Sequence, residues 1–143
     1  MRITIVYDSQ TGTTKAAAEQ MAQMAPAAGH DATAVTVNAA TAAEVAAADA
    51  VCVGSWVEGL FFIRQHPTQA TMEFIDELEL GGTPAAVFCT YKTAVGKTLA
   101  EMARALEARG ARVTGRFRSR GPSAPTGFDE WLRSLAEKAV PPA

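Results

Sequence analysis

The sequence predicts an α/β fold built on a five-stranded parallel sheet with helices on both faces. Three observations lead to this prediction. Five strand-like runs alternate with five helix-like runs, the arrangement that places crossover helices over a parallel sheet. Three of the strand runs are almost entirely apolar, as strands covered on both faces must be. Right-handed crossovers around those central strands give the strand order 2-1-3-4-5.

The predicted strands are short runs of β-branched, aromatic and small apolar residues bounded by turn residues. In chain order they are residues 3–7, 32–37, 50–53, 85–89 and 111–117. The third is expected to break at Gly54-Ser55, because glycine weakens a strand. The fifth leads into an alternation of Arg116, Arg118 and Arg120 with small or apolar residues. This pattern suits an edge strand, where charge discourages pairing with another chain.

The predicted helices are defined by apolar spacing and by their start and stop residues. The first follows a polar turn and runs to about residue 25, where Pro26 stops it. Thr41 is expected to cap a short helix through residue 47. The remaining three are residues 71–80, 95–108 and 127–139. Glycines follow the first two of these, as is common at helix ends.

Composition and charge restrict the classes of protein that the chain can represent. With 143 residues, of which 48% are hydrophobic and 20% charged, we expect one globular domain. The apolar runs are far shorter than the roughly 20 residues of a membrane span. The N-terminus shows no secretion signal, and the two cysteines, Cys52 and Cys89, lie in apolar runs and suggest packing rather than a disulfide framework. We therefore expect a cytoplasmic protein without a membrane span.

The net charge of −2 conceals an uneven distribution. Residues 1–90 carry ten acidic and three basic side chains, whereas residues 91–143 carry five acidic and ten basic ones. The total argues against a nucleic-acid partner, but one region of the surface is expected to be electropositive.

The sheet topology predicts where a ligand binds. In an open parallel sheet, ligands lie at the carboxyl ends of the strands, beside the point where the strand order reverses. Three predicted loops meet there: residues 9–14, 54–67 and 90–97. We expect the function to reside in these loops.

The first loop is suited to an anion. Its hydroxyls and backbone amides gather at a helix N-terminus, where the helix dipole favours negative charge. Glycine allows a sharp turn and a close approach of the backbone to a ligand. The residues are Ser9, Gln10, Thr11, Gly12, Thr13 and Thr14. A hydroxyl-rich helix cap without a ligand is the alternative interpretation.

Other chemistries fit the sequence less well. Gly96-Lys97-Thr98 resembles the end of a nucleotide-binding P-loop, but Tyr91 stands where that motif needs a glycine. A receiver domain would need an aspartate after the third strand, and a small tyrosine phosphatase would need a cysteine where Ser9 stands. Neither histidine has an evident carboxylate partner in the sequence. We therefore assign no catalytic residue and no metal ligand.

The segment Val6–Thr14, with its Thr-Gly-x-Thr sequence after a strand ending in Tyr-x-Ser, resembles the phosphate loop of the flavodoxin family. The order of elements and the length resemble a short-chain flavodoxin over essentially the whole chain. This resemblance implies a flavodoxin-like three-layer sandwich with FMN as cofactor. It assigns Ser9–Thr14 to the FMN phosphate.

The resemblance also assigns the second and third loops to the isoalloxazine ring. It implies cofactor contacts by Ser55, Trp56, Val57, Glu58 and Gly59, followed by Thr90, Tyr91, Lys92 and Gly96. Trp56 departs from the residue common in the family, so Trp56, Phe61 and Phe62 all stay candidates for stacking on the ring. Phe61 and Phe62 could instead form a partner surface.

The function implied by the resemblance is that of an electron carrier between redox partner proteins. A small FMN-dependent oxidoreductase acting on a quinone or a porphyrinogen-like substrate is the first alternative. A flavin-free binding module on the same fold is the second. Where many flavodoxins have acidic residues around the third loop, this chain has Lys92 and Lys97. We expect these cations to make the reduction potential less negative by stabilising the reduced flavin. Lysine side chains directed into solvent, away from the flavin, are the alternative interpretation.

Overall fold

The computed structural model describes residues 1–60 and 63–139. Its strands are β1 Arg2–Asp8, β2 Asp31–Thr36, β3 Ala50–Trp56, β4 Glu58–Leu60, β5 Ile63–His66, β6 Pro84–Thr90 and β7 Arg112–Ser119. Its α-helices are α1 Thr13–Met24, α2 Ala42–Ala46, α3 Gln69–Asp76, α4 Thr98–Ala108 and α5 Phe128–Ala139. A 3-10 turn, Ala25–Ala28, follows α1. None of the helices in these ranges is long and apolar enough to cross a membrane.

The main sheet has the order β2-β1-β3-β6-β7, and all its neighbouring strands run parallel. These are the five predicted strands in the predicted order. One apolar core lies between the sheet and helices α1 and α5, and a second lies between the sheet and helices α3 and α4. The molecule is therefore a three-layer sandwich, and the carboxyl ends of β1, β3 and β6 are adjacent.

The predicted break in the third strand is wrong, because β3 continues through Gly54-Ser55 to Trp56. Gly54 pairs with Phe88 of β6. A Cβ atom on Gly54 would lie 2.0 Å from Phe88 Cζ, so the missing side chain makes room for the aromatic ring. The glycine therefore allows close packing within the sheet. The longer strand places Trp56 at the carboxyl end of β3.

The predicted long loop after the third strand contains a hairpin. β4 and β5 pair antiparallel, with a β-bulge between Glu58 and Leu60. Such a short pair gives little sequence signal, because three or four residues are too few to establish an alternation. Phe61 and Phe62 lie outside the described residues.

Two helices are shorter than predicted. α3 begins after Thr68, whose hydroxyl accepts a hydrogen bond from the Thr71 amide at 3.3 Å, and ends at Asp76 rather than residue 80. Leu80 is buried, but its amide donates to the Arg109 carbonyl at 2.9 Å instead of to a carbonyl of α3. The helical spacing of apolar residues therefore continues beyond the end of the helix. α4 begins at Thr98 rather than residue 95, because Gly96 has a φ of +56° and cannot be helical.

The edge position of β7 and the burial of both cysteines agree with the sequence analysis. Arg116 and Arg118 are exposed, whereas Phe117 between them is buried.

Cys52 and Cys89 are fully buried. Burial raises the pKa of the Cys89 thiol to about 12, although Arg118 opposes this rise, and burial also raises the pKa of Cys52. Neither thiol is a nucleophile at neutral pH.

Candidate functional site

A cavity of about 330 Å³ lies at the carboxyl ends of β1, β3 and β6, where the strand order reverses. We call it the central cavity. Its volume lies within the range of small-molecule sites. The lining comes from all three predicted loops, the second of which contains the hairpin, and from the residue that follows β7. It comprises Gln10, Thr11, Thr13, Thr14, Trp56, Val57, Gly59, Gln65, Thr90, Tyr91, Lys92, Thr93, Ala94 and Arg120.

The loop between β1 and α1 is shaped by Ser9 and Gly12. Gly12 has a φ of +92°, which a residue with a side chain adopts only at a cost in free energy. The Ser9 hydroxyl accepts hydrogen bonds from the Gly12 amide at 3.1 Å and from the Lys15 amide at 3.2 Å. These bonds hold the loop closed over the start of the helix. Ser9 and Gly12 thus set the shape of the loop without lining the cavity.

The N-cap residue of α1, Gly12, offers no side-chain cap, and the first turn, which carries no acidic residue, faces the central cavity. In the described part of the chain, the amides of Thr11, Thr13 and Thr14 have no hydrogen-bond acceptor. The hydroxyls of Thr11 and Thr13 lie 3.4 Å apart beside them. Free amides at the positive end of a helix dipole, with hydroxyls around them, form an anion site.

Two buried contacts join the three loops. The hydroxyls of Thr14 and Thr90 lie 2.6 Å apart, so the first loop is tied to the end of β6. The Val57 amide donates to the Thr90 carbonyl at 3.1 Å, which ties the second loop to the same point. Thr14 and Thr90 are both buried. The cavity is therefore bounded by loops whose relative positions are fixed.

Ser55 is buried beneath the cavity. Its hydroxyl donates to the Trp56 carbonyl at 2.7 Å and accepts from the Thr68 amide at 3.0 Å. Thr68 in turn donates its hydroxyl to Asp8 Oδ2 at 2.6 Å. Ser55 is thus a positioning residue that links the segment bearing Trp56 to the start of α3.

Two cationic side chains, Lys92 and Arg120, line the cavity near Tyr91. The Arg120 guanidinium carbon lies 5.5 Å from the centre of the Tyr91 ring, and Arg120 Nε donates to Tyr91 Oη at 3.4 Å. Lys92 lines the same cavity. Among the described residues, no acidic side chain lines it. An anionic ligand with an aromatic ring suits this combination of hydroxyls, amides, aromatic rings and cations.

The sequence matches the flavodoxin family profile over residues 5–135. The chain belongs to the flavodoxin family. Two-electron reduced Megasphaera elsdenii flavodoxin shares 25% sequence identity, with a TM-score of 0.78 over 94% of this chain and 98% of that one. A flavodoxin from the domain Archaea shares 23%, with a TM-score of 0.75 over 96% and 98% of the two chains.

A short-chain flavodoxin associated with a bacterial microcompartment has the same fold at 14% identity, with a TM-score of 0.78 over 98% of this chain and 99% of that one. A comparison with curated protein sequences gave no significant match. Flavodoxins bind FMN and transfer electrons. The predicted family, fold and cofactor class are thus confirmed.

Ten of the fifteen residues predicted as cofactor contacts in this flavodoxin line the central cavity. Those that do not are Ser9, Gly12, Ser55, Glu58 and Gly96. Glu58 lies on the hairpin, with its carboxylate 3.9 Å from His66 Nε2. The sequence gives no sign of this pair, because Glu58 and His66 are brought together only by the antiparallel pairing of β4 with β5.

The structure adds four lining residues that the sequence analysis missed, namely Gln65, Thr93, Ala94 and Arg120. Gln65 belongs to the hairpin, which gave no sequence signal. Arg120 follows β7, and its place at the carboxyl end of that strand could have been inferred from the strand order. Lys97, which was expected beside the ring, does not line the cavity.

Proposed function

We propose that this flavodoxin binds FMN in the central cavity and carries electrons between redox partner proteins. The observation that supports this proposal best is the N-terminus of α1, with its free amides and threonine hydroxyls, opening into a cavity bordered by Trp56 and Tyr91. A phosphate fits the helix end, and a planar ring fits the aromatic side chains.

In this proposal the residues divide into three roles. Thr11 and Thr13 hold the phosphate together with the loop amides, which Ser9 and Gly12 keep in place. Trp56 and Tyr91 border the ring, and loop backbone groups meet its edge. FMN, when bound, supplies the ability to accept and release one or two electrons. The protein sets the affinity and the potential through stacking, hydrogen bonds and charge.

The chain is expected to bind FMN at least about 100-fold more tightly than riboflavin. Hydrogen bonds to a charged group contribute about 1.5–3 kcal/mol each, so two bonds to the phosphate exceed this ratio. Titration of the purified protein with either ligand, followed by flavin fluorescence, measures both affinities. Equal affinities would contradict a phosphate role for the first loop. Absence of binding would leave the fold intact and favour a flavin-free binding module.

A stand-alone reductase of quinones or porphyrinogens is the second candidate function. Such an enzyme needs a positioned proton donor near the ring, and Tyr91 and Lys92 both line the cavity. Steady-state assays of the FMN-loaded protein with NADPH and a quinone, without a separate reductase, distinguish the two functions. Turnover within an order of magnitude of ordinary enzymes, at about 1 per second or faster, would favour the reductase.

Replacing Lys92 with glutamine is expected to lower the reduction potential of bound FMN. A screened cation a few ångströms from the reduced cofactor contributes on the order of 1 kcal/mol, which corresponds to about 20 mV for two electrons. Lys97→Gln is the matched control, because Lys97 is exposed and does not line the central cavity. Redox titration monitored by absorbance measures both shifts. Equal shifts in the two variants would mean that the position of Lys92 is irrelevant.

A further inference from the structure

A second cavity, of about 620 Å³, adjoins the central cavity at the edge of the sheet. The two share Tyr91, Thr93, Ala94 and Arg120, so they lie side by side. We call the second cavity the arginine groove, because Arg116, Arg118 and Arg120 line it. The start of α4 forms its opposite side with Leu99 and Ala100.

Arg116 and Arg118 lie on one face because of the alternation along β7, and Arg120 follows the end of that strand. Phe117 turns into the core that contains α5, so its neighbours turn to the face covered by α4. A β-bulge between the partners of Ala85 and Ala86 leaves Thr114 unpaired. Val113, before the bulge, packs in the core beside α4. Arg112 therefore lies on the sheet face opposite to that of Arg116.

The charge of the arginine groove is not neutralised within the chain. Among the described residues, no carboxylate lies within 4.0 Å of any of its three guanidinium groups, and no acidic side chain lines the groove. Arg116, Arg118 and Arg120 are all exposed. Lys92 in the central cavity extends the same positive field. This local charge is opposite in sign to the net charge of −2.

The spacing of the arginines indicates the size of the partner. Arg116 and Arg118 lie two residues apart on β7, a rise of about 7 Å, and Arg120 follows directly after the strand, so the three charges extend over more than about 7 Å. One small anion does not span that length, whereas several carboxylates on a protein surface do. The groove also ends at Tyr91, so a protein seated in it reaches the border of the central cavity. Positive charge at such a place accelerates the encounter with a negatively charged partner.

We propose that the arginine groove is the docking surface for a redox partner protein with an acidic contact surface. The inference rests on the proposed electron-carrier function, because it places the partner at the border of the FMN site. It goes beyond that function by specifying the face used and the charge of the partner. The net charge of the chain alone would instead favour a basic partner.

The test uses two double variants of the full chain with the same net charge. Arg116→Glu with Arg118→Glu makes the charge of the arginine groove negative. Arg112→Glu with Arg133→Glu alters two exposed arginines outside the groove. Each Arg→Glu change lowers the charge by two, so both double variants go from −2 to −6. Cytochrome b5 serves as an acidic protein probe and cytochrome c as a basic one. Binding is followed at low salt by amide NMR shifts.

The proposal predicts that the wild type binds cytochrome b5 more tightly than cytochrome c, with shifts at residues 91–100 and 116–120. The groove variant is expected to lose at least 10-fold in affinity for cytochrome b5, and the control variant less than 2-fold. Equal losses in both variants would overturn the proposal, since net charge would then be the cause. Preference for cytochrome c would overturn it as well.

A kinetic measurement gives an independent result. Oxidation of the reduced, FMN-loaded protein by ferricyanide, a trianion, is expected to slow as salt is added, because the groove attracts the anion. Repulsion by the net charge predicts the opposite trend. If ferricyanide responds to the groove substitutions but cytochrome b5 binding does not, the groove is a small-anion site and the docking proposal fails. Failure to retain FMN would defeat the proposed function, whereas the NMR titration would still report on the groove.

Discussion

Replacing Thr13 with aspartate is expected to weaken FMN binding at least about 100-fold. Thr13 begins α1, and its hydroxyl faces the central cavity beside that of Thr11. A carboxylate there would itself accept hydrogen bonds from the free helix amides, and its negative charge would repel the phosphate. Losing two charge-assisted hydrogen bonds costs about 3–6 kcal/mol, which corresponds to two to four orders of magnitude in affinity.

The control for this prediction is riboflavin, which lacks the phosphate. Its affinity is expected to change by less than 3-fold in Thr13→Asp, because the ring site is untouched. Thr13→Val is the matched variant of similar volume without charge, and we expect it to lose only about 10-fold for FMN. Fluorescence titration measures all of these affinities. A parallel loss for FMN and riboflavin would mean that the substitution damages the fold rather than an anion site.

Replacing Gly110 with alanine is expected to destabilise the protein by at least about 3 kcal/mol. Gly110 has a φ of +96°, which costs an alanine about 1–2 kcal/mol. A Cβ atom there would also lie 1.7 Å from the Leu80 carbonyl oxygen. The chain cannot move aside freely, because the Gly82 amide donates to the Gly110 carbonyl at 2.8 Å. Urea unfolding of the apoprotein measures the free energy of unfolding.

Gly29→Ala separates the two causes. Gly29 has a similar φ of +82°, but a Cβ atom there would meet no atom within 4 Å. We therefore expect a loss of about 1–2 kcal/mol from backbone strain alone. If both alanine variants lose the same stability, the close approach of Leu80 to Gly110 has no energetic consequence and the larger value is wrong.

The fold could be predicted because its signals are local and repeated. Apolar runs such as residues 50–53 and 85–89 define buried strands, and the alternation with helices leaves few topologies. The boundaries were harder. By its propensity Gly54 should end the strand, but in the structure it leaves room for the Phe88 ring. No local sequence pattern reveals this contact between two strands. Leu80 follows helical spacing but pairs with Arg109 instead.

The same distinction applies to the site. The first loop could be predicted because its hydroxyls, glycine and helix start are consecutive in sequence. Gln65 reaches the central cavity from the hairpin and Arg120 from the position just after β7, and their place depends on tertiary packing. For this reason the sequence analysis named Lys97 as the second cation beside Lys92, whereas in the structure that cation is Arg120. Charge counting located the basic half of the chain correctly but not the side chain that faces the cavity.

The fit of the Phe88 ring over Gly54 has a consequence for the evolution of the family. A substitution at either position alone would be harmful, since alanine at 54 collides with the ring and a small residue at 88 leaves a void over the glycine. The two positions are therefore expected to change together among homologues, with small residues at 88 wherever 54 bears a side chain.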